Sequence, residues 1–355
     1  MLQLNPQTLK KLRRFRHIKR GYYSFLILAG LMVLLAFGEL IINSRALLVS
    51  YEGELYFPTY TAFHPGTDFG LDYDYEVNYR ELKEAFAEDG SGNWVLMPLI
   101  PYNAFENHAP GGIFTPLAPD ASQQHYLGTD TTSRDILARL FYGTRIALIF
   151  SIGFMLSVYL IGIAIGCSMG YFGGVFDLLF QRLIEIWSNV PFLYMVIIIF
   201  SVIPAAFSVP TRIGILLMVM VLFSWTGMTY YMRTETYKEK ARDYVAAARV
   251  IGASNSRIIF RHILPNILST LVTFMPFTIV GAISAITALD FLGFGLPPPT
   301  PSLGELLKQG TANLRTAPWI VTSAFGTLVA LLTLVTFVGE AVRESFDPKT
   351  YSIYR

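Results

Sequence analysis

The sequence predicts an all-α protein that crosses a membrane several times, and three observations support this prediction. Only 15% of the 355 residues are charged and 53% are hydrophobic, whereas soluble domains carry about 25% charged residues. The apolar residues form blocks of about 20, the length that a helix needs to cross the hydrocarbon core. Basic and acidic residues are concentrated in different connecting segments. This composition excludes an ordinary soluble enzyme.

Six apolar blocks are predicted to be transmembrane helices, because backbone groups in lipid must be hydrogen-bonded within the segment. The segment before them, 1–21, carries seven Lys and Arg residues and no acidic residue, which predicts a cytoplasmic N-terminus. It shows no pattern of a cleaved signal, so the first helix is expected to remain in the protein. Six crossings also place the tail, 343–355, in the cytoplasm. The predicted helices are 22–43, 146–170, 176–204, 211–230, 266–289 and 319–342.

The segment between the first two predicted helices, 44–140, is too polar to enter lipid and is expected outside the cytoplasm. Residues 44–125 contain twelve acidic and three basic residues. Alternation in Leu47 to Pro58 predicts a β-hairpin, and Asn78 is placed to cap a short helix that runs to Glu88. We therefore predict a small extracytoplasmic domain.

The loop after the fourth predicted helix, 231–265, holds seven basic and three acidic residues and is expected in the cytoplasm. Within it, Gly252 can end one helix and Ser254 can cap another. The small side chains of Ala246 to Ala248 allow another protein to approach this helix closely. This pattern is typical of a helix-turn-helix that docks onto a partner, although a solvated loop remains open. Nucleic-acid binding is disfavoured because both ends continue into membrane helices.

Asp243-Tyr-Val-Ala-Ala-Ala-Arg-Val-Ile-Gly252 and Arg261-His-Ile-Leu-Pro-Asn266 resemble the EAA loop of ABC importer permeases. Ala246 replaces the usual Glu and His262 the usual Ile, and both departures are common in the dipeptide, oligopeptide and nickel branch. Further segments resemble the same branch. These are His125 to Arg145, Leu289 to Pro297, Ser302 to Glu305, and Gly339 to Arg343 together with Asp347-Pro348-Lys349. In the first of these segments, Ser133 replaces the Gly that is usual in the branch.

The resemblance implies a type I ABC importer permease fold, with a core over 141–342 and an outer loop over 290–318. It implies a bacterial inner (plasma) membrane location and one half of a translocation pathway that works by alternating access. The implied partners are a second permease subunit, separate ATPase subunits or a fused double ATPase that hold ATP and Mg²⁺, and an extracytoplasmic substrate-binding protein. The N-terminal part is similar to permeases for oligopeptides and microcin C, which implies a peptide cargo. The residues implied to dock the ATPase are Ala247, Ala248, Gly252, Ala253, Ser254, Arg257 and Arg261.

No G-x-x-x-x-G-K-[ST] motif is present, so we expect a non-catalytic subunit with no cofactor of its own. The alternatives are a stand-alone secondary transporter or channel, a permease for nickel or a metal chelate, and a membrane-anchored scaffold. The middles of helices two, four, five and six lack the ionisable residues typical of ion-coupled carriers. The outer histidines, His64, His108 and His125, lack metal-ligand spacing, so no metal site is expected. The residues that line the substrate pathway cannot be named.

Charged residues near the helix ends are predicted to be structural. Asp177, Arg182 and Glu185 are spaced to form a local ion-pair network on the third predicted helix. Glu39 and Glu340 are expected to reach an interface.

Overall fold

The structure, a computed structural model, describes residues 6–90, 92–109, 112, 114–204 and 206–346. Of the predicted tail, 343–346 belong to the last helix, and 347–355, including Asp347-Pro348-Lys349, lie outside the described residues. Among the described residues, five helices are long and apolar enough to cross a membrane. They are α2 (Lys19–Ala36), α4 (Ile136–Phe172), α7 (Val209–Lys240), α10 (Leu264–Leu292) and α12 (Pro318–Phe346). A further helix, α1 (Pro6–His17), precedes them.

The third predicted span is broken rather than continuous. It consists of α5 (Gly174–Ser188) and α6 (Phe192–Val202), whose axes differ by 75°. The break falls at Asn189 to Pro191, where proline disfavours a helical conformation at the preceding residue. Asn189 Nδ2 donates to the carbonyl of Glu185 at 2.6 Å and so closes the end of α5.

The observed helices also differ in length from the predicted spans. Helix α2 starts three residues earlier than predicted and ends at Ala36, after which Gly38–Leu40 forms a short 3-10 turn. Helix α4 begins at Ile136, where Asp135 accepts a hydrogen bond from the amide of Ala138 at 2.7 Å. The predicted boundary between the insert, 44–140, and the permease core, 141–342, therefore lies inside α4. The reason is that the first turns of α4 carry polar side chains that are buried in protein rather than placed in lipid.

Glycines bring α4 and α7 into close contact. Gly162, Gly166 and Gly170 recur every four residues and share one face of α4. A Cβ atom on Gly166 would lie 2.4 Å from the carbonyl oxygen of Thr229, and one on Gly170 would lie 2.6 Å from that of Arg233. Small residues at this spacing allow two membrane helices to approach closely. This contact forms the centre of the largest buried apolar cluster, together with residues of α10.

The segment between α2 and α4 contains a small α/β unit. Strands β1 (Leu48–Tyr51), β2 (Glu54–Tyr56) and β3 (Trp94–Leu96) form an antiparallel sheet in the order β2-β1-β3. The predicted hairpin and the predicted cap are present, since Asn78 accepts a hydrogen bond from the amide of Arg80 at the start of α3 (Tyr79–Asp89). Strand β3 was not expected. The core of this unit contains Val49, Val95, Leu82 and Phe86.

The segment after α10 contains one short helix, α11 (Leu303–Ala312), between irregular stretches. Ser302 caps it, because its hydroxyl accepts a hydrogen bond from the amide of Glu305 at 2.9 Å. Leu303 and Leu306 are buried with Ile136, Leu140 and Ile320. Helix α11 therefore ties the ends of α4 and α12 together on the side that carries the α/β unit.

Candidate functional site

The loop that follows α7 has the helix-glycine-helix form expected of a docking element. We call residues 241–263 the coupling loop. Helix α8 (Asp243–Val250) is followed by Ile251 and then by Gly252, whose φ is +84°. The amide of Gly252 donates to the carbonyl of Arg249 at 2.9 Å, and that of Ala253 donates to the carbonyl of Ala248 at 3.0 Å. These two bonds form a Schellman motif, which favours glycine at the left-handed position.

The second half of the coupling loop runs directly into α10. Ser254 caps the short helix α9 (Asn255–Arg257) by accepting a hydrogen bond from the amide of Arg257. A π-helical segment, Ile258–Ile263, joins α9 to α10. One helical path therefore leads from the loop into a membrane helix.

The two faces of the coupling loop differ sharply in burial. Val245, Ile258 and Ile263 are completely buried in the cluster formed by the membrane helices. On the opposite side, Val250 is 89% exposed and Ile251 is 86% exposed, and Phe260 is also exposed. Two adjacent aliphatic side chains with this exposure are costly in water and are typical of a surface that a partner covers.

The predicted docking residues are mostly on the exposed surface. Ala247, Gly252, Ser254, Arg257 and Arg261 are exposed, and Ala253 is half-buried. Ala248 differs from the others, because it is only 8% exposed and packs against the membrane helices, and its contact with an ATPase stays a prediction. Residues at positions 245 and 248 face the same side of a helix, so Ala248 follows Val245 into the core.

Val250, Ile251 and Phe260 were missed. The available signal was the presence of Val250-Ile251 directly before Gly252 in a loop that is expected outside the membrane.

Polar contacts attach the coupling loop to α4 and α7. The hydroxyl of Tyr171, at the end of α4, donates to Asn255 Oδ1 at 2.8 Å, and the guanidinium of Arg249 lies 5.3 Å from the Tyr171 ring centroid. The hydroxyl of Tyr244 donates to Glu239 at 2.6 Å. Burial and this carboxylate raise the pKa of Tyr244. The loop is thus held by side chains as well as by its chain connections.

Asp177 has a different partner from the one expected. It accepts two hydrogen bonds from Arg233 of α7, at 2.5 and 2.7 Å, and a third from the hydroxyl of Tyr237 at 2.7 Å. Arg182 pairs with Glu185 at 2.6 Å on the surface of α5. The expected single network is therefore wrong. Instead, Asp177 joins α5 to α7 near the coupling loop, because helix packing brings Arg233 closer than its neighbours along the sequence.

A buried ionic cluster lies at the opposite end of the helices, within the segment 125–145. Asp130 contacts Arg134 at 2.8 Å and Arg139 at 3.3 Å, and Glu305 of α11 contacts both arginines. Burial alone would raise the pKa of Asp130, but the two guanidinium groups hold it below its usual range. Ser133, which replaces the family's usual glycine, has a φ of +58°. The backbone therefore retains the left-handed conformation that glycine adopts most easily.

Two of the outer histidines take part in ordinary packing and hydrogen bonding. His125 Nδ1 lies 2.8 Å from Asp135 Oδ2, and the His125 ring stacks on Tyr102. His64 Nδ1 lies 3.0 Å from Asp68. In the part of the chain that the structure describes, no group of three or more His, Cys, Asp and Glu residues could hold a metal ion.

Glu39 and Glu340 form ion pairs between helices, with Arg145 at 2.7 Å and with Arg20 at 3.2 Å.

A cavity of about 390 Å³ opens between α4, α6, α7 and α10. Its lining is apolar apart from hydroxyl groups, and no charged side chain belongs to it. The hydroxyls of Tyr159 and Thr278 are 3.1 Å apart, and Ser224 provides a third. The other lining residues are Phe154, Val158, Phe192, Met220, Met228, Gly281, Ala282 and Ala285. This arrangement offers a solute apolar surface and hydroxyl groups that can form hydrogen bonds.

Residues 162–350 match the family described as "Binding-protein-dependent transport system inner membrane component". The match includes the coupling loop and the helices on either side of it.

The chain belongs to this family.

It is therefore a multi-pass inner membrane permease subunit of an ABC importer.

Similar proteins extend the match to nearly the whole permease. This chain is 41% identical to the "Inner membrane ABC transporter permease protein YejE" of Escherichia coli, over 98% of this chain and 99% of the relative. It is 38% identical to the "Peptidoglycan transport system permease protein YejE" of Agrobacterium fabrum, over 97% and 94%. The "Dipeptide transport system permease protein DppC" of Haemophilus influenzae is 34% identical over 72% of this chain and 85% of the relative.

A solved structure of the MetNI methionine ABC transporter in an inward-facing conformation also matches part of the permease. It is 18% identical and has a TM-score of 0.42, covering 59% of this chain and 96% of the solved chain.

Proposed function

We propose that this permease forms half of the translocation pathway of a peptide importer and that its coupling loop docks onto a separate ATPase subunit. The observation that carries the proposal is the exposure of Val250 and Ile251 above a completely buried underside. Apolar residues exposed together on a loop outside the membrane are typical of a surface that a partner covers. Ala247, Gly252, Ser254, Arg257 and Arg261 surround them in our proposed docking surface, and Ala253 contributes its exposed part.

The proposed orientation places both termini and the coupling loop in the cytoplasm. Basic residues are concentrated in 1–21 and 231–265, as the positive-inside rule requires of cytoplasmic segments. The Lys11 ammonium lies 4.2 Å from the centroid of the Phe346 ring, so the start and the end of the described chain are on one face. An even number of crossings accounts for this, with α5 and α6 together counted as one broken span.

The proposed mechanism couples the movement of the ATPase to the cavity. ATP and Mg²⁺ would be bound by the partner subunits, either two chains or a fused double ATPase, and this permease supplies no cofactor. The coupling loop continues into α10 and contacts α4 through Tyr171, and both helices line the cavity. Movement of the loop therefore reorients cavity walls, which supports alternating access between two states.

The proposed cargo is a peptide, including an oligopeptide or a microcin C-like peptide. The cavity has no charged group that would favour one sign of charge over the other, and its hydroxyls can hydrogen-bond peptide groups. The names of relatives refer to dipeptides and peptidoglycan, and both contain peptide bonds. A metal chelate is the other candidate that the branch suggests, and the uptake assay below separates it from a peptide.

We also propose two further partners. A related but different permease would supply the other half of the pathway. An extracytoplasmic binding protein would deliver the cargo to the acidic α/β unit between α2 and α4. No nucleic acid is part of the proposed function.

The test is an affinity purification of the tagged, detergent-solubilised permease from its native host, with identification of the co-purified chains. We expect a second permease and an ATPase with the wild-type protein. The double variant Val250→Ser/Ile251→Ser should weaken binding of the ATPase by at least about 150-fold, because burial of each side chain contributes about 1.5–3 kcal/mol. It should remain in the membrane, since these side chains are exposed.

The matched control is Leu55→Ser/Leu99→Ser, which removes two exposed aliphatic residues from the α/β segment. Retention of the ATPase by the loop variant, or equal loss by the control, would refute the docking assignment. Uptake is then measured with a radiolabelled tripeptide and with a nickel chelate. Uptake of the chelate alone would refute the proposed peptide cargo.

A further inference from the structure

Helix α1 has the pattern of a helix that lies at a membrane surface. It contains Lys10, Lys11, Arg13, Arg14 and Arg16 and no acidic residue. At 100° per residue, Leu9, Leu12 and Phe15 fall within an arc of about 120°, and most of the basic residues occupy the remainder. A basic face opposite an apolar arc is typical of helices that bind at a lipid interface.

The position of α1 agrees with this pattern. The chain leaves the helical conformation at Ile18, where ψ is 83°, so α1 is separate from the membrane helix α2. Phe15 packs edge-on against Phe25 of α2, with ring centroids 5.8 Å apart. Leu9 is 42% exposed and Leu12 is 52% exposed. The apolar arc therefore continues from the side of α2 into a region that no described part of the chain covers.

A small cationic cavity lies between α1 and the end of α12. It has a volume of about 310 Å³ and is lined by Arg13, Arg14, His17, Ile18 and Glu344. Two arginines from adjacent positions provide forked donors that match the geometry of a phosphate group. Glu344 provides an acceptor beside them, which suits a headgroup that carries hydroxyls as well as a phosphate.

We propose that this cavity binds the headgroup of an anionic phospholipid, with Arg13 and Arg14 on its phosphate and Leu9 and Leu12 against its acyl chains. If the basic residues of α1 served only to orient the protein in the membrane, their number alone would matter. That role would require neither a cavity between α1 and α12 nor an apolar arc beside the charges. The proposal is independent of the cargo and of the ATPase.

The test measures lipid binding to the full-length permease in detergent by native mass spectrometry. The protein is titrated with dioctanoyl phosphatidylglycerol, with dioctanoyl phosphatidylcholine and with inorganic phosphate. We expect saturable binding of phosphatidylglycerol that weakens as ionic strength rises. Arg13→Gln/Arg14→Gln should weaken it by about 30-fold, since each basic residue near a lipid surface contributes about a fivefold factor.

Two variants serve as controls. Arg13→Lys/Arg14→Lys retains the charge and should retain most of the binding. Arg182→Gln/Lys238→Gln removes two exposed charges elsewhere, with side chains that are 74% and 62% exposed, and should bind like the wild type. Equal affinity for phosphatidylcholine, or equal loss in this second control, would overturn the proposal. Competition by inorganic phosphate at the same concentration would show a site for soluble anions and would overturn the assignment to a lipid.

Discussion

Substitution of Gly252 separates the role of the loop backbone from that of the loop surface. The φ of Gly252 is +84°. A residue with a Cβ adopts this conformation at a free-energy cost of about 1–2 kcal/mol, and the cost is lower for Asn and Asp, which enter the left-handed region more readily. Among the described residues other than Gly252 and its two neighbours along the chain, no atom lies within 4 Å of a Cβ placed there. Gly252→Asn and Gly252→Asp should therefore leave the permease folded, with a side chain directed into open space.

An ATPase packed against the loop would meet that side chain. Overpacking of a closely fitted surface costs about 1–3 kcal/mol, which corresponds to docking that is about 5- to 150-fold weaker. Gly252→Ala reports the backbone cost with little added volume. Gly252→Asn adds volume, and Gly252→Asp adds a negative charge at the same volume. We expect ATPase retention to decrease in that order and peptide uptake to be abolished in Gly252→Asp.

The assay compares the amount of permease in the membrane, the ATPase retained on purification and the uptake of a radiolabelled tripeptide. Gly53→Asp is the matched control, because Gly53 has the same φ of +84° and equally open surroundings but lies in the turn between β1 and β2. It should leave ATPase retention unchanged. Normal uptake by Gly252→Asp would refute the reasoning, as would a loss of permease from the membrane that fully accounts for the loss of uptake.

Three further predictions concern stability. Gly166→Leu should prevent close packing of α4 on α7 and lower the thermal midpoint of the purified permease, whereas Gly153→Ala, whose Cβ would be 3.7 Å from its nearest neighbour, should have little effect. Arg139→Gln leaves Asp130 buried with one arginine fewer and should destabilise the protein by about 3–5 kcal/mol, so an unchanged thermal midpoint would contradict the role of the ionic cluster. Burial, with the charges of His125 and Arg80, lowers the pKa of His108 from its usual 6.5, so the unfolded chain takes up a proton before the folded chain as pH falls. Hydrogen exchange around residues 102–135 should therefore accelerate relative to intrinsic rates as pH falls below 6.5, and His108→Gln should reduce this dependence.

Local patterns in the sequence predicted the local features of the fold. The apolar blocks, the caps at Asn78 and Ser254 and the helix end at Gly252 depend on residues within a few positions of one another. The motifs around 243–266 and 125–145 were enough to indicate the family, which the comparisons confirm. The orientation of the termini and the docking role of the loop stay predictions.

The tertiary structure decided which distant residues meet. Asp177 pairs with Arg233 rather than with its neighbours on α5, and Arg139 meets Glu305 across 166 positions of the sequence. Ala248 is buried and Val250 is exposed, although both are small or aliphatic residues of one short helix. The physical reason is that a sequence pattern specifies how a segment folds, whereas burial and ion pairing depend on which face of that segment another helix covers.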